Sequence, residues 1–133
     1  MSKSPTQTIM RSTLGRARGL GAAKSGTAHW WAERVTSVAL LPLTLWFVLA
    51  LYRLIGVSAA AVAHWAAHPV NATLLLALIV VTFHHMALGL QVVLEDYIHT
   101  EKTRLAAILA MKGATWLLAI AAILSVLKLA VIG

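Results

Sequence analysis

The sequence predicts an all-α integral membrane protein built on three transmembrane helices. Three observations carry that expectation. Of 133 residues, 60% are hydrophobic and only 11% are charged, a balance that a water-soluble domain of this length does not show. The apolar residues gather into three long runs, and each reaches or approaches the ~20 residues that a helix needs to cross ~30 Å of hydrocarbon. Within a bilayer the backbone must satisfy its polar groups inside the segment, which leaves the helix as the spanning conformation.

Taken in order, the chain divides into a basic tail, residues 1–28, and a membrane domain, residues 29–133. Lys3, Arg11, Arg16, Arg18 and Lys24 stand in the tail without one acidic residue, and they supply much of the formal net charge of +7. Beside membrane spans such a tail is an orientation signal and a contact for anionic lipid, and no nucleic-acid partner is expected. Its Arg, Ser and Thr content also fits a mitochondrial transit peptide. No apolar core with a small-residue cleavage site follows, so a secretory signal is not expected.

Helices are expected over about 35–52, about 72–94 and about 105–132, as the runs of apolar residues dictate. The first connection, Ile55 to Asn71, reads as an interfacial loop of small residues in which His68-Pro69 breaks the chain and Asn71 caps the second helix. The second, Glu95 to Arg104, is the compact charged loop. Six basic residues lie in the chain through Arg34 and two more in this second loop, against Arg53 and Lys128 on the other side. The positive-inside rule therefore puts the amino terminus and the second loop in the cytoplasm. Lys112, inside the third run, is expected to snorkel to the same surface.

The chain has no cysteine, so any metal is held by histidine or carboxylate. His64 and His68 have the i, i+4 spacing of a metal pair but no third ligand nearby. The stretch FHHMALGLQVVLEDYIH, Phe83 to His99, is the one that concentrates chemistry. Ionisable groups inside a span are costly and usually functional, and adjacent helical residues point ~100° apart, so only one of His84 and His85 faces a given partner. His85, Gly89, Val92 and Asp96 share one stripe. A glycine one turn after a histidine removes the side chain that would obstruct a flat macrocycle, and an intramembrane imidazole is a good axial ligand for haem iron. A neutral histidine bonded to a neighbouring helix is the competing reading, and His84 suits it better. Near the membrane surface, Asp96 and Tyr97 pair an acid with a phenol. Tyrosine at this depth is an aromatic-belt anchor, and it is also a suitable donor to a quinone carbonyl reduced with protons from the wet side. At the same level Trp30 and Trp31 fit the belt, while Arg34 either snorkels or pairs with a carboxylate such as a haem propionate.

The run HMALGLQVVLEDY, His85 to Tyr97, closely resembles the signature of the small hydrophobic membrane anchors of succinate dehydrogenase, respiratory complex II, and among them the D-type anchor. The likeness rests on a histidine, a glycine four residues on, and an Asp-Tyr pair eleven and twelve residues after the histidine. ERVTS, at the start of the first span, is similar to the arginine-containing entry of that family. Gln91 departs from the pattern by one place, which argues against giving it a role. The resemblance implies that His85 is the axial haem b ligand, that Tyr97 contacts ubiquinone with Asp96 beside it, and, more weakly, that Arg34 lies near the haem propionates. It further implies a helical bundle completed by a second membrane anchor subunit, the C-type anchor, together with an iron-sulfur subunit and a flavoprotein subunit. The implied location is the bacterial inner membrane, or the mitochondrial inner membrane as the alternative. A fumarate reductase-type anchor, another quinone-linked cytochrome b anchor and a non-redox three-span assembly protein are the competing readings.

Overall fold

The computed structural model describes residues 23–132, and every regular element among them is a helix. Helix α1 covers Ala23–Arg53, α2 Ala59–Ala67, α3 Pro69–Tyr97 and α4 Glu101–Ile132. The expected basic tail lies outside the described residues as far as residue 22. Three segments, Gly26–Arg53, Pro69–Tyr97 and Glu101–Val131, are long and apolar enough to span a membrane. At ~1.5 Å per residue their 28 to 31 residues exceed the hydrocarbon core and reach into the headgroup layers.

Each span is therefore longer than its apolar run. Helix α1 is already formed at Ala23, the first described residue, where the hydropathy pattern suggests a start at about 35; AKSGTAHWWAER holds no proline, and its one glycine is tolerated within the helix. Its Pro42 removes one donor from the ladder and leaves the Val38 carbonyl without its usual partner. Gly56, at φ 77°, makes the turn that ends this segment, in a backbone region that favours glycine.

The first connection differs most from expectation. Within the anticipated loop, AAAVAHWAA folds as α2, since alanine is the strongest helix former and Ser58 caps the start by accepting from the Ala61 N–H at 3.4 Å. Asn71 is not the cap of α3. That helix begins at Pro69, its first-turn proline, with His68 at the cap position, and proline suits this place because its missing N–H is one the helix would leave unpaired anyway. Asn71 Nδ2 instead donates to the Trp65 carbonyl at 2.8 Å, tying the end of α2 to the start of α3.

Helix α3 is the middle of the molecule. It packs along α1 on one side and α4 on the other, while α1 and α4 do not approach each other. Helix α2 lies against α4 and α3 and meets α1 through Trp46 and Trp65, whose rings stack with centroids 6.0 Å apart. Small residues mark the tightest places: Ala50, Ala66 and Ala119 are the buried apolar residues and Thr115 the buried polar one among those described. Close approach over small side chains is how helices associate in lipid, where no hydrophobic drive separates them from solvent. Long apolar side chains such as Leu41, Leu45, Leu109 and Leu117 face outward.

Candidate functional site

Helix α3 carries both histidines and, at its last two residues, Asp96 and Tyr97. The ~100° between neighbours sends the two imidazoles to different helices. His85 is half-buried on the α1 side, with its Nδ1 2.8 Å from Thr36 Oγ1. His84 faces α4, where it lines a cleft of about 100 Å³ with Val80, Phe83, Ala87, Thr115, Trp116 and Ala119.

The sequence of α1 explains why Thr36 is there. His29, Ala32, Thr36, Leu40, Leu43, Phe47 and Ala50 are among the less exposed positions of this helix, which also include Glu33, Ser37, Ala39 and Trp46, and the three- and four-residue spacing of those seven is one face of a helix. Thr36 Oγ1 also lies 2.7 Å from the Ala32 carbonyl and 3.1 Å from that of Glu33, the back-bonding of a helical threonine. Nearly two turns earlier on that face, His29 sets Nδ1 4.0 Å from Glu33 Oε1, and its Nε2 is enclosed without a hydrogen-bond partner among the described residues.

The donor set fits a haem. No hydrogen bond among the described residues engages His85 Nε2, so its second ring nitrogen is available as a ligand. No group of three His, Cys, Asp or Glu side chains gathers among the described residues to hold a bare metal ion. A haem needs no such group, since the macrocycle brings its own donors and asks the protein for axial ligands alone. One turn beyond His85, a Cβ built on Gly89 would meet nothing within 4 Å, so the backbone there is open to a flat partner.

The remaining expected residues are not drawn to His85. Arg34 stands on the exposed face of α1, with its guanidinium 5.2 Å from the centroid of the Trp30 ring, a cation–π contact one helical turn back. Trp30 and Trp31 meet edge to face at 5.1 Å. Tyr97 is 81% exposed, and neither it nor Asp96 makes a side-chain hydrogen bond to another described residue. Gln91 Nε2 donates to Glu95 Oε1 at 2.7 Å, which occupies both of those side chains. Lys112 is exposed, as are His64 and His68. Thr36 is the residue that sequence reasoning did not single out. Its one available signal was a hydroxyl near the start of the first span, two residues after Arg34.

Comparison with known proteins gives a consistent result. The profile described as "Succinate dehydrogenase/Fumarate reductase transmembrane subunit" matches residues 8–127. The succinate dehydrogenase hydrophobic membrane anchor subunit of Rickettsia bellii is 32% identical over 102 residues, covering 77% of this chain and 82% of that protein. Its counterpart from Paracoccus denitrificans is 31% identical over 113 residues, 85% of this chain and 87% of that one. The succinate dehydrogenase membrane anchor subunit of Reclinomonas americana is 27% identical over 92 residues, 67% of this chain and 77% of that one. No solved structure matches significantly.

Proposed function

The chain belongs to the succinate dehydrogenase/fumarate reductase transmembrane subunit family, and from that premise we propose that it binds haem b through His85 and forms part of a ubiquinone-reduction site through Tyr97 and Asp96. It is a multi-pass membrane anchor subunit of a succinate dehydrogenase complex, and other subunits of that complex accompany it. The observation that carries the finer reading is His85, fixed through Nδ1 to Thr36 with Nε2 unengaged by any described residue and open backbone at Gly89. Assignment as the D-type anchor is supported by the spacing from His85 to Asp96 and Tyr97.

In this reading the second haem histidine comes from the other membrane anchor, the C-type one. A flavoprotein oxidises succinate to fumarate, and an iron-sulfur protein passes the two electrons to the membrane. Bound haem supplies a one-electron redox centre. Tyr97 donates its O–H to a quinone carbonyl oxygen, where negative charge grows as electrons arrive, and Asp96 sits beside it at the end of α3. Two protons from the adjacent water complete the quinol. Arg34, whose guanidinium is held on an exposed face, offers a charge partner to a haem propionate. Affinity purification of the complex in mild detergent, with mass spectrometry of the partners and a reduced-minus-oxidised spectrum, tests the whole reading. A flavoprotein, an iron-sulfur protein and a b-type spectrum are expected, and a haem-free complex would exclude the haem assignment.

We further propose that the 1–28 tail and the segment between α3 and α4 lie on the cytoplasmic side of a bacterial inner membrane, where the soluble subunits dock. The concentration of basic residues supports this orientation. Because the chain has no native cysteine, Thr100→Cys gives a single labelling site. An impermeant maleimide is expected to label it in inside-out vesicles and not in right-side-out ones. The opposite pattern reverses the topology.

A further inference from the structure

We propose that Thr36 is a positioning residue for the iron ligand: its hydroxyl accepts a hydrogen bond from His85 Nδ1–H and thereby fixes the tautomer in which Nε2 carries the lone pair. The inference rests on the reading of His85 as the haem ligand. A hydroxyl has one hydrogen to give and two lone pairs to receive with. Thr36 Oγ1 lies 2.7 Å from the Ala32 carbonyl and 2.8 Å from His85 Nδ1. The carbonyl can only accept, so it takes the hydroxyl hydrogen, with the Glu33 carbonyl at 3.1 Å as a second acceptor. The lone pairs of Oγ1 are then turned to the imidazole, and the Nδ1 side must bring the proton.

The neutral imidazole has a single N–H. With that proton at Nδ1, Nε2 is the basic nitrogen, the one that no described residue engages. A hydrogen bond from the far nitrogen of a ligating imidazole also orients the ring and raises its donor strength. Stronger donation favours ferric over ferrous iron and so lowers the midpoint potential. The backbone supports the arrangement, because the acceptor oxygen is itself tied into α1 and cannot turn away without losing its bond to Ala32.

The test uses the purified complex carrying Thr36→Val, which keeps the shape and removes the oxygen, beside Thr36→Ser, which keeps the oxygen. Thr36→Val is expected to raise the haem midpoint, with the ferric to ferrous ratio at fixed potential falling three- to tenfold, up to ~59 mV at the one-electron constant. Thr36→Ser is expected to stay near the parent value. An unchanged potential in Thr36→Val, or an equal change in both variants, overturns the role of the hydroxyl. As a measurement that needs no variant, the ¹⁵N shifts of His85 in the haem-free full chain in detergent are expected to show the Nδ1–H tautomer. The Nε2–H tautomer there overturns the inference. A separate control, haem retained in His85→Ala, would instead overturn the haem reading on which the inference stands.

Discussion

His85→Ala is expected to strip haem from the purified complex, while His84→Ala leaves it in place. The two residues are neighbours in sequence and differ in what they face. His85 is held on the α1 side through Thr36 with its second nitrogen available, one turn before the open backbone at Gly89. His84 lines the cleft against Thr115 and Trp116 of α4. If His85 is the ligand, its removal would leave the iron with no protein donor from this chain, so haem per complex should fall at least about tenfold, the equivalent of ~1.4 kcal/mol or more of binding free energy. Haem content by pyridine haemochrome and the reduced-minus-oxidised spectrum measure this directly. Alanine at 84 enlarges an existing cleft, which affects stability rather than ligation. Equal haem retention in the two variants would sink the assignment of His85.

The second large effect is on turnover. Tyr97→Phe is expected to slow succinate-to-quinone electron transfer by roughly ten- to a hundredfold, because a hydrogen bond to a group that gains charge contributes on the order of 1.5 to 3 kcal/mol. The phenyl ring keeps its place at the membrane surface, and the side chain makes no hydrogen bond within the described chain, so the fold loses nothing with the hydroxyl. Reduction of an artificial acceptor by the soluble subunits should stay near normal, and the haem spectrum with it. Quinone reduction at the parental rate in Tyr97→Phe would reduce the residue to an aromatic anchor.

The spans were legible in the sequence because hydrocarbon selects for one thing, a continuous run of apolar side chains. Their ends were not, since the backbone decides where a helix stops. His29, Trp30, Trp31 and Glu33 fall outside the apolar run, yet the ladder of α1 continues through them from Ala23. Helix α2 was hidden for another reason: AAAVAHWAA is too short to span and reads as a loop of small residues before the His68-Pro69 break, while its alanines favour a helix by propensity. Asn71 looked like a cap, and its amide finds the Trp65 carbonyl instead because Pro69 has already begun the helix. At the site, the split between His84 and His85 follows from helical geometry alone. The pairing of His85 with Thr36 spans 49 residues of sequence and depends on how α1 is rotated about its axis, which no local pattern records. Arg34 illustrates the same limit, for its contact is with Trp30 on its own helix.

Helix α3 runs without interruption from Pro69 to Tyr97, and both the proposed haem ligand and the proposed quinone donor are on it. That makes the helix a ruler with a fixed phase. The twelve residues from His85 to Tyr97 set an axial separation of ~18 Å and an angular offset of ~120°, and the backbone ladder holds both figures without help from loops or neighbouring chains. Substitutions between Met86 and Glu95 leave this gauge untouched so long as the helix survives. Loss or gain of one residue there does not: it swings Asp96 and Tyr97 by ~100° and slides them by ~1.5 Å relative to His85, taking the phenol away from its proposed partner while altering hydrophobicity and charge hardly at all. For this segment, length is a stricter constraint than chemical character.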